Sequence, residues 1–161
     1  PKPFTAFQWA PMNKPEEFLE KARITKAAVR AQLNQKRISY HYHDCGTTII
    51  EGVLARGDRR LSASIEYVYR HGAIFDAWTE TFSYENWLKA FEETGVDYTD
   101  YIFRTRPDDE EFPWDFIDSG VRKEFLLREW KNASMAKKSS NCREQCMGCG
   151  CTEFGCGVCV E

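Results

Sequence analysis

Apolar residues recur at helical spacing along most of the chain. Phe18, Leu19, Ala22, Val29 and Leu33 predict a helix from about Pro15 to Leu33. Asn13 is suited to cap it, proline suits its first position, and Glu16 and Glu17 oppose the positive end of its dipole. A second helix is expected from Thr47 or Thr48 through Ile49, Ile50, Val53 and Leu54, ending near Gly57. A third, from Asp58, is expected to bury Leu61, Ile65 and Val68 and to stop at Gly72. Ser83 caps a fourth, Tyr84 to Thr94, which Gly95 closes and on which Leu88 and Phe91 face the core. A last helix, from Asp118 or Ser119, carries Val121, Phe125, Leu126 and Trp130 as one apolar stripe. The tryptophans Trp78, Trp87, Trp114 and Trp130 are read as core or capping residues.

Two segments break this pattern. Residues 3–9, Pro3-Phe4-Thr5-Ala6-Phe7-Gln8-Trp9, read as extended and aromatic-rich, and Ile38 to His43 reads as a strand. Two strands make a poor sheet on their own. They are expected to be the last strands of a sheet whose earlier members lie ahead of Pro1, and the absence of an initial methionine points to a piece of a longer protein. The expected class is therefore α+β, mainly helical. Residues 97–117 read as irregular, with an acidic run from Asp108 to Glu111, and residues 133–141 as a linker.

The 161 residues suit about one domain, and 42% hydrophobic with 29% charged residues excludes a wholly disordered chain. The net charge of -3 excludes a globally basic nucleic-acid binder and leaves room for a local basic face. No apolar run reaches the roughly 18 residues of a membrane helix, and the start lacks a signal-peptide pattern. The expectation is a cytoplasmic protein without a membrane partner.

Cysteine changes the picture most. Of the 7 cysteines, all but Cys45 fall between Cys142 and Cys159. A disulfide scaffold spreads its cysteines to close loops, whereas a crowded tail in a reducing compartment suits metal ligation. Cys142, Cys146, Cys149, Cys151, Cys156 and Cys159 are spaced C-x3-C-x2-C-x-C-x4-C-x2-C, with glycines that let the backbone turn around a small centre. Four thiolates satisfy either zinc or an iron–sulfur cluster, and spacing does not choose between them. The bland alternative is a reactive tail without a metal.

Two further clusters carry candidate chemistry. His41 and His43 share one face of the expected strand, with Asp44 and Cys45 next to them, so a metal or proton-transfer site competes with a polar strand end. Arg56, Asp58, Arg59 and Arg60 surround Gly57 at a helix junction, where an anionic group or plain solvent would satisfy them.

Four segments together resemble one family. They are Pro1 to Trp9, then Ile50-Glu51-Gly52-Val53-Leu54-Ala55-Arg56-Gly57-Asp58-Arg59-Arg60, then Phe75-Asp76-Ala77-Trp78, and Pro113-Trp114-Asp115-Phe116-Ile117-Asp118-Ser119-Gly120-Val121 continuing through Lys123-Glu124-Phe125-Leu126. With the cysteine-rich ending, they resemble radical S-adenosylmethionine proteins that carry a cobalamin-binding-like domain ahead of the radical barrel. The resemblance implies that residues 1–45 end a truncated (β/α) barrel, that residues 46–132 form a helical C-terminal extension, and that residues 133–161 form a linker and metal-binding tail. Thr5, Phe7 and Gln8 would then approach the cofactor cavity, with His43 and Asp44 near it.

The resemblance further implies that S-adenosylmethionine, its four-iron cluster and any cobalamin belong to the parent protein, whose barrel would be this chain's partner. Cys142-x3-Cys146-x2-Cys149 matches the spacing of the family's cluster motif but stands behind the strands, so this chain alone is not expected to cleave S-adenosylmethionine. The family ends C-x3-C-x2-C-x2-C; here Cys146 to Phe154 reads as an insertion, which leaves open which of Cys146, Cys149 and Cys151 completes a set of four. The substrate, RNA or protein, is not legible. Two rival readings are a zinc knuckle whose neighbours Lys131, Lys137, Lys138 and Arg143 contact nucleic acid or protein, and a small iron–sulfur electron carrier.

Overall fold

A computed structural model describes residues 1–32, 38–155 and 159. The expected Leu33 and Cys156 contributions lie outside the described residues. Among the described residues, six α-helices run in chain order: α1 Pro15–Gln32, α2 Cys45–Arg56, α3 Leu61–Arg70, α4 Tyr84–Thr94, α5 Tyr98–Ile102 and α6 Lys123–Ser134. Short 3-10 turns cover Ala6–Trp9 and Cys151–Phe154. Among the described residues there is no strand and no barrel. The chain is mainly helical, and no described helix is long and apolar enough to cross a membrane.

Both expected strands are therefore corrected. Residues 3–9 form a turn and a 3-10 helix, because their aromatic rings pack on partners distant in sequence instead of on neighbouring strands. Residues 38–43 are irregular; Tyr42 sets its ring edge-on to Phe18, 5.7 Å away, and beneath the Lys26 ammonium, 4.9 Å from its centre.

Two compact units divide the chain, Pro11–Arg104 and a second made from Pro1–Ala10 with Thr105–Glu161. The first contains α1 to α5. Its core comprises Ile49, Ile50 and Val53 of α2, Leu61 and Val68 of α3, Trp87, Ala90 and Phe91 of α4, and Tyr101 and Ile102 of α5. Asp44, and neither threonine, caps α2 by accepting from Thr47 N at 2.9 Å. The α3 stripe is Leu61, Ser64 and Val68, while Ile65 faces out, and the Ser64 hydroxyl lies 2.7 Å from that of Thr94. Ser83 caps α4 and Gly95 closes it in the left-handed conformation. Trp87 donates to Asp76 at 2.6 Å, whereas Trp78 stays 65% exposed against the expectation of a core residue.

In the other unit, α6 starts at Lys123, later than Asp118 or Ser119. Asp118 Oδ1 instead accepts from Gly120 N at 2.9 Å, and this turn delays the helix. Trp9, Phe112, Trp114 and Leu126 form the unit's core, with Val121, Phe125 and Trp130 packed against it. Phe112 stacks on Trp114 at 4.9 Å and meets the edge of Trp9 at 5.4 Å. The buried Arg106 guanidinium lies over both stacked rings and pairs with Glu110 at 2.7 Å, so its charge is neutralised where water is absent.

Candidate metal centre

The cysteine tail belongs to the unit built around α6. Beyond the helix, the chain folds back when Lys137 N donates to Asn132 O at 2.9 Å. Asn141 then makes a tight turn, its Oδ1 accepting from Arg143 N at 2.9 Å and its backbone oxygen from Glu144 N at 3.0 Å. Cys142 is exposed on this turn.

The next five residues, Cys146-Met147-Gly148-Cys149-Gly150, form a knuckle around one sulfur. Gly148 N–H donates to the Cys146 thiol two residues back, which holds that thiol below its ordinary value. This geometry sets Gly148 at φ 67° and Gly150 at φ 107°, a region favouring glycine. At Gly150 a side chain would also be crowded, since a Cβ would lie 3.0 Å from Arg122 Cγ and 3.1 Å from Gly120 O.

The knuckle is tied to the body through its backbone. Arg122 N donates to Cys149 O at 2.8 Å, the Arg128 guanidinium donates to Met147 O, and Arg122 pairs with Glu153. Arg122 precedes α6 and Arg128 lies on it, so the helix that closes the aromatic core also positions the knuckle.

Cys159 returns to this place. Its thiol shares a hydrogen bond with that of Cys146, and this bond is the main reason it is pushed up to about 11; burial, and charge on Cys146, Cys142 and Cys149, add to the rise. The two thiols thus shift in opposite directions, Cys146 down and Cys159 up. Cys142 and Cys149 are close enough for their charge to act on Cys159 without closing on a common point. Among the described residues, no group of three or more His, Cys, Asp or Glu side chains is gathered closely enough to hold a metal ion. Cys151 opens the 3-10 turn, half-buried. The described cysteines are free of disulfides.

The donor chemistry nevertheless fits a soft or borderline metal. Thiolates suit zinc and iron–sulfur clusters, and an N–H donated to sulfur favours the thiolate such ligation requires. Among the described residues, Cys142, Cys146 and Cys149 act on Cys159.

The other sequence candidates make contacts of their own. Thr5 donates to Lys2 O at 2.7 Å, and Phe7 sets its ring edge-on to Trp130. Gln8 is buried, and its Oε1 accepts from Trp114 Nε1 at 3.0 Å and from Phe4 N at 3.1 Å. In the α1–α5 unit, His41 lies 3.0 Å from the Ser39 hydroxyl, His43 is exposed, and Asp44 serves as a helix cap.

The arginine cluster is divided. Arg56 is fully buried in α2, Arg59 is exposed, and Arg60 makes a forked pair with Asp58, its Nε at 3.0 Å and its Nη2 at 2.7 Å. Asp58 also accepts from the Tyr101 hydroxyl at 3.0 Å. Its carboxyl is held at about 2, chiefly by the hydrogen bonds from Arg60, and that charge occupies the arginine that an anion would use. Sequence reasoning missed Arg122 and Arg128 as the residues that hold the knuckle, one just ahead of α6 and the other on it, because their partners Cys149 and Met147 are set by tertiary folding.

In comparisons with known proteins, no family model, no curated protein and no solved structure matches this chain.

Proposed function

We propose that this chain is the C-terminal part of a radical S-adenosylmethionine protein of the cobalamin-domain group, working in the cytoplasm, and that its tail is a thiolate metal centre. The observation that carries the metal reading is the knuckle in which Gly148 N–H donates to the Cys146 sulfur while Cys159 bonds the same sulfur. The four segments quoted above carry the family reading. The parent's cluster motif and barrel are then separate from this chain, and the aromatic unit around α6 supports the tail.

Cys142, Cys146, Cys149 and Cys159 are the proposed ligands. Cys146 and Cys159 are hydrogen-bond partners, Cys142 is exposed on a turn, and Cys149 is fixed by its backbone bond to Arg122. Loading would displace the proton on Cys159, so affinity should rise with pH. When bound, zinc would supply a structural cross-link, and an iron–sulfur cluster would supply a one-electron carrier. This chain's own part is to present the sulfurs, donate N–H to them and anchor their backbone.

Cobalt(II) titration of the reduced full chain tests this reading. Four thiolates give intense sulfur-to-cobalt charge-transfer absorption and tetrahedral d–d bands. The expected result is saturation at about one equivalent, with the bands reduced in both Cys146→Ser and Cys159→Ser. Absence of those bands in the unsubstituted chain would overturn it.

A further inference from the structure

A groove of about 450 Å³ lies against the knuckle. Arg128 and Asn132 of α6 form one side, the segment with Lys137, Lys138 and Ser139 forms another, and Gln145 to Met147 complete it. The described lining carries these cationic side chains and no carboxylate. It has several hydrogen-bonding side chains and no Trp, Phe, Leu or Ile to enter a bilayer. Beside the groove, the Glu129 carboxylate is engaged by Asn132 at 3.2 Å, by the Ser139 hydroxyl and by Arg128 at 3.6 Å, and Glu144 precedes the lining residue Gln145 in sequence.

The placement of the lysines follows from the backbone. Ala136 takes a left-handed conformation at φ 54°, and Lys137 N returns to Asn132 O, so Lys137 and Lys138 leave the helix end at the groove's edge. Lys131 is occupied by Asp108 at 2.7 Å, whereas among the described residues no acid pairs with Lys137 or Lys138. Arg143 follows on the next exposed turn, and no acidic residue occurs from Lys131 to Arg143. A chain of net charge -3 thus concentrates positive charge in one stretch.

We infer that this groove binds the phosphodiester backbone of a single-stranded nucleic acid, with Lys137 and Lys138 on consecutive phosphates and Asn132 and Gln145 reaching sugar or phosphate oxygens. A row of cations along the chain suits a row of phosphates better than one isolated anion. The contact is electrostatic and sequence-tolerant, so it weakens as salt releases the advantage of counterion displacement. Cys146 lines the groove, but the side chains that would contact the strand, Lys137, Lys138, Asn132 and Gln145, lie outside the proposed ligand set, so failure here would leave the metal reading intact.

Fluorescence anisotropy with the full chain and a labelled single-stranded RNA of about 12 nucleotides tests it. Between about 50 and 200 mM salt, log affinity should fall linearly with log salt, with a slope near -2 for about three phosphate contacts. The double substitution Lys137→Gln with Lys138→Gln should weaken binding at least tenfold and flatten the slope by about 1.4, or roughly 0.7 per lost contact. Cobalt(II) uptake by the same variant should be unchanged, which shows that the tail remains intact. Binding unaltered by the double substitution would overturn the inference, as would absence of binding at low salt. Displacement by inorganic phosphate equimolar with the RNA would assign the groove to a single anion, and binding to phosphatidylserine vesicles without binding to RNA would assign it to a lipid surface; either contradicts a nucleic-acid strand.

Discussion

Gln8 is 2% exposed, and its Oε1 accepts from two donors, Trp114 Nε1 at 3.0 Å and Phe4 N at 3.1 Å. The second bond holds Phe4, which sits at φ 56° where side chains are disfavoured. Gln8→Met keeps volume and removes the acceptor. Trp114 is 7% exposed, so its indole N–H would be stranded at about 1–3 kcal/mol, and half-buried Phe4 adds about 1 kcal/mol as water partly replaces the bond. The expected loss is about 2–4 kcal/mol, a large share of the roughly 5–15 kcal/mol that stabilises a domain. Gln8→Ala adds a cavity, worth a further 1–2 kcal/mol or so. Urea unfolding followed by tryptophan fluorescence reads both, since Trp9 and Trp114 lie in this core. A Gln8→Met midpoint within about 0.5 kcal/mol of the unsubstituted chain would refute the structural role of Gln8, because even one stranded indole exceeds that.

Gly150→Ala should weaken cobalt(II) binding by tenfold or more in chelator competition, since its Cβ would press on Arg122 and Gly120 O at a φ of 107°; unchanged affinity would show that the knuckle does not need this backbone. Asp58, held at about 2 by Arg60, stabilises the fold above its unfolded value near 3.9, and this contribution is lost as pH falls between the two. Asp58→Asn should therefore cost about 1 kcal/mol at neutral pH after solvent screening, with the difference closing near pH 2 in acid unfolding; a difference that persists below that pH would point elsewhere. Asp44→Ala should cost roughly 0.5–2 kcal/mol through loss of the α2 cap while leaving metal uptake unchanged, as measured by thermal melting and cobalt(II) titration; lost uptake would return Asp44 to the metal site.

Local signals were legible where the chain obeyed them locally. Ser83 and Gly95 bracket α4 as their chemistry requires, and Gly57 ends α2. The turn at Asp118 to Gly120 was also within reach, because aspartate two residues before glycine competes with a helix start. The aromatic segment near the beginning was not. Phe7 and Trp9 carry strand-like composition, yet their partners Trp130 and Phe112 lie more than a hundred residues away. No local signal announces that the first ten residues join the last third of the chain. Likewise, tail spacing named the donors without choosing among them; the return of Cys159 to Cys146 is a tertiary fact, as is the occupation of Arg60 by Asp58.

The most direct test is the metal and sulfide content of the full chain purified without oxygen, compared across single cysteine-to-serine variants. The prediction is that Cys142→Ser, Cys146→Ser, Cys149→Ser and Cys159→Ser each lose most of the bound zinc or iron, while Cys151→Ser keeps about the amount found in the unsubstituted chain, as a four-thiolate site requires. Equal loss in Cys151→Ser, or a metal-free unsubstituted chain that also fails to take up zinc or iron on reconstitution, would contradict a centre built on Cys142, Cys146, Cys149 and Cys159.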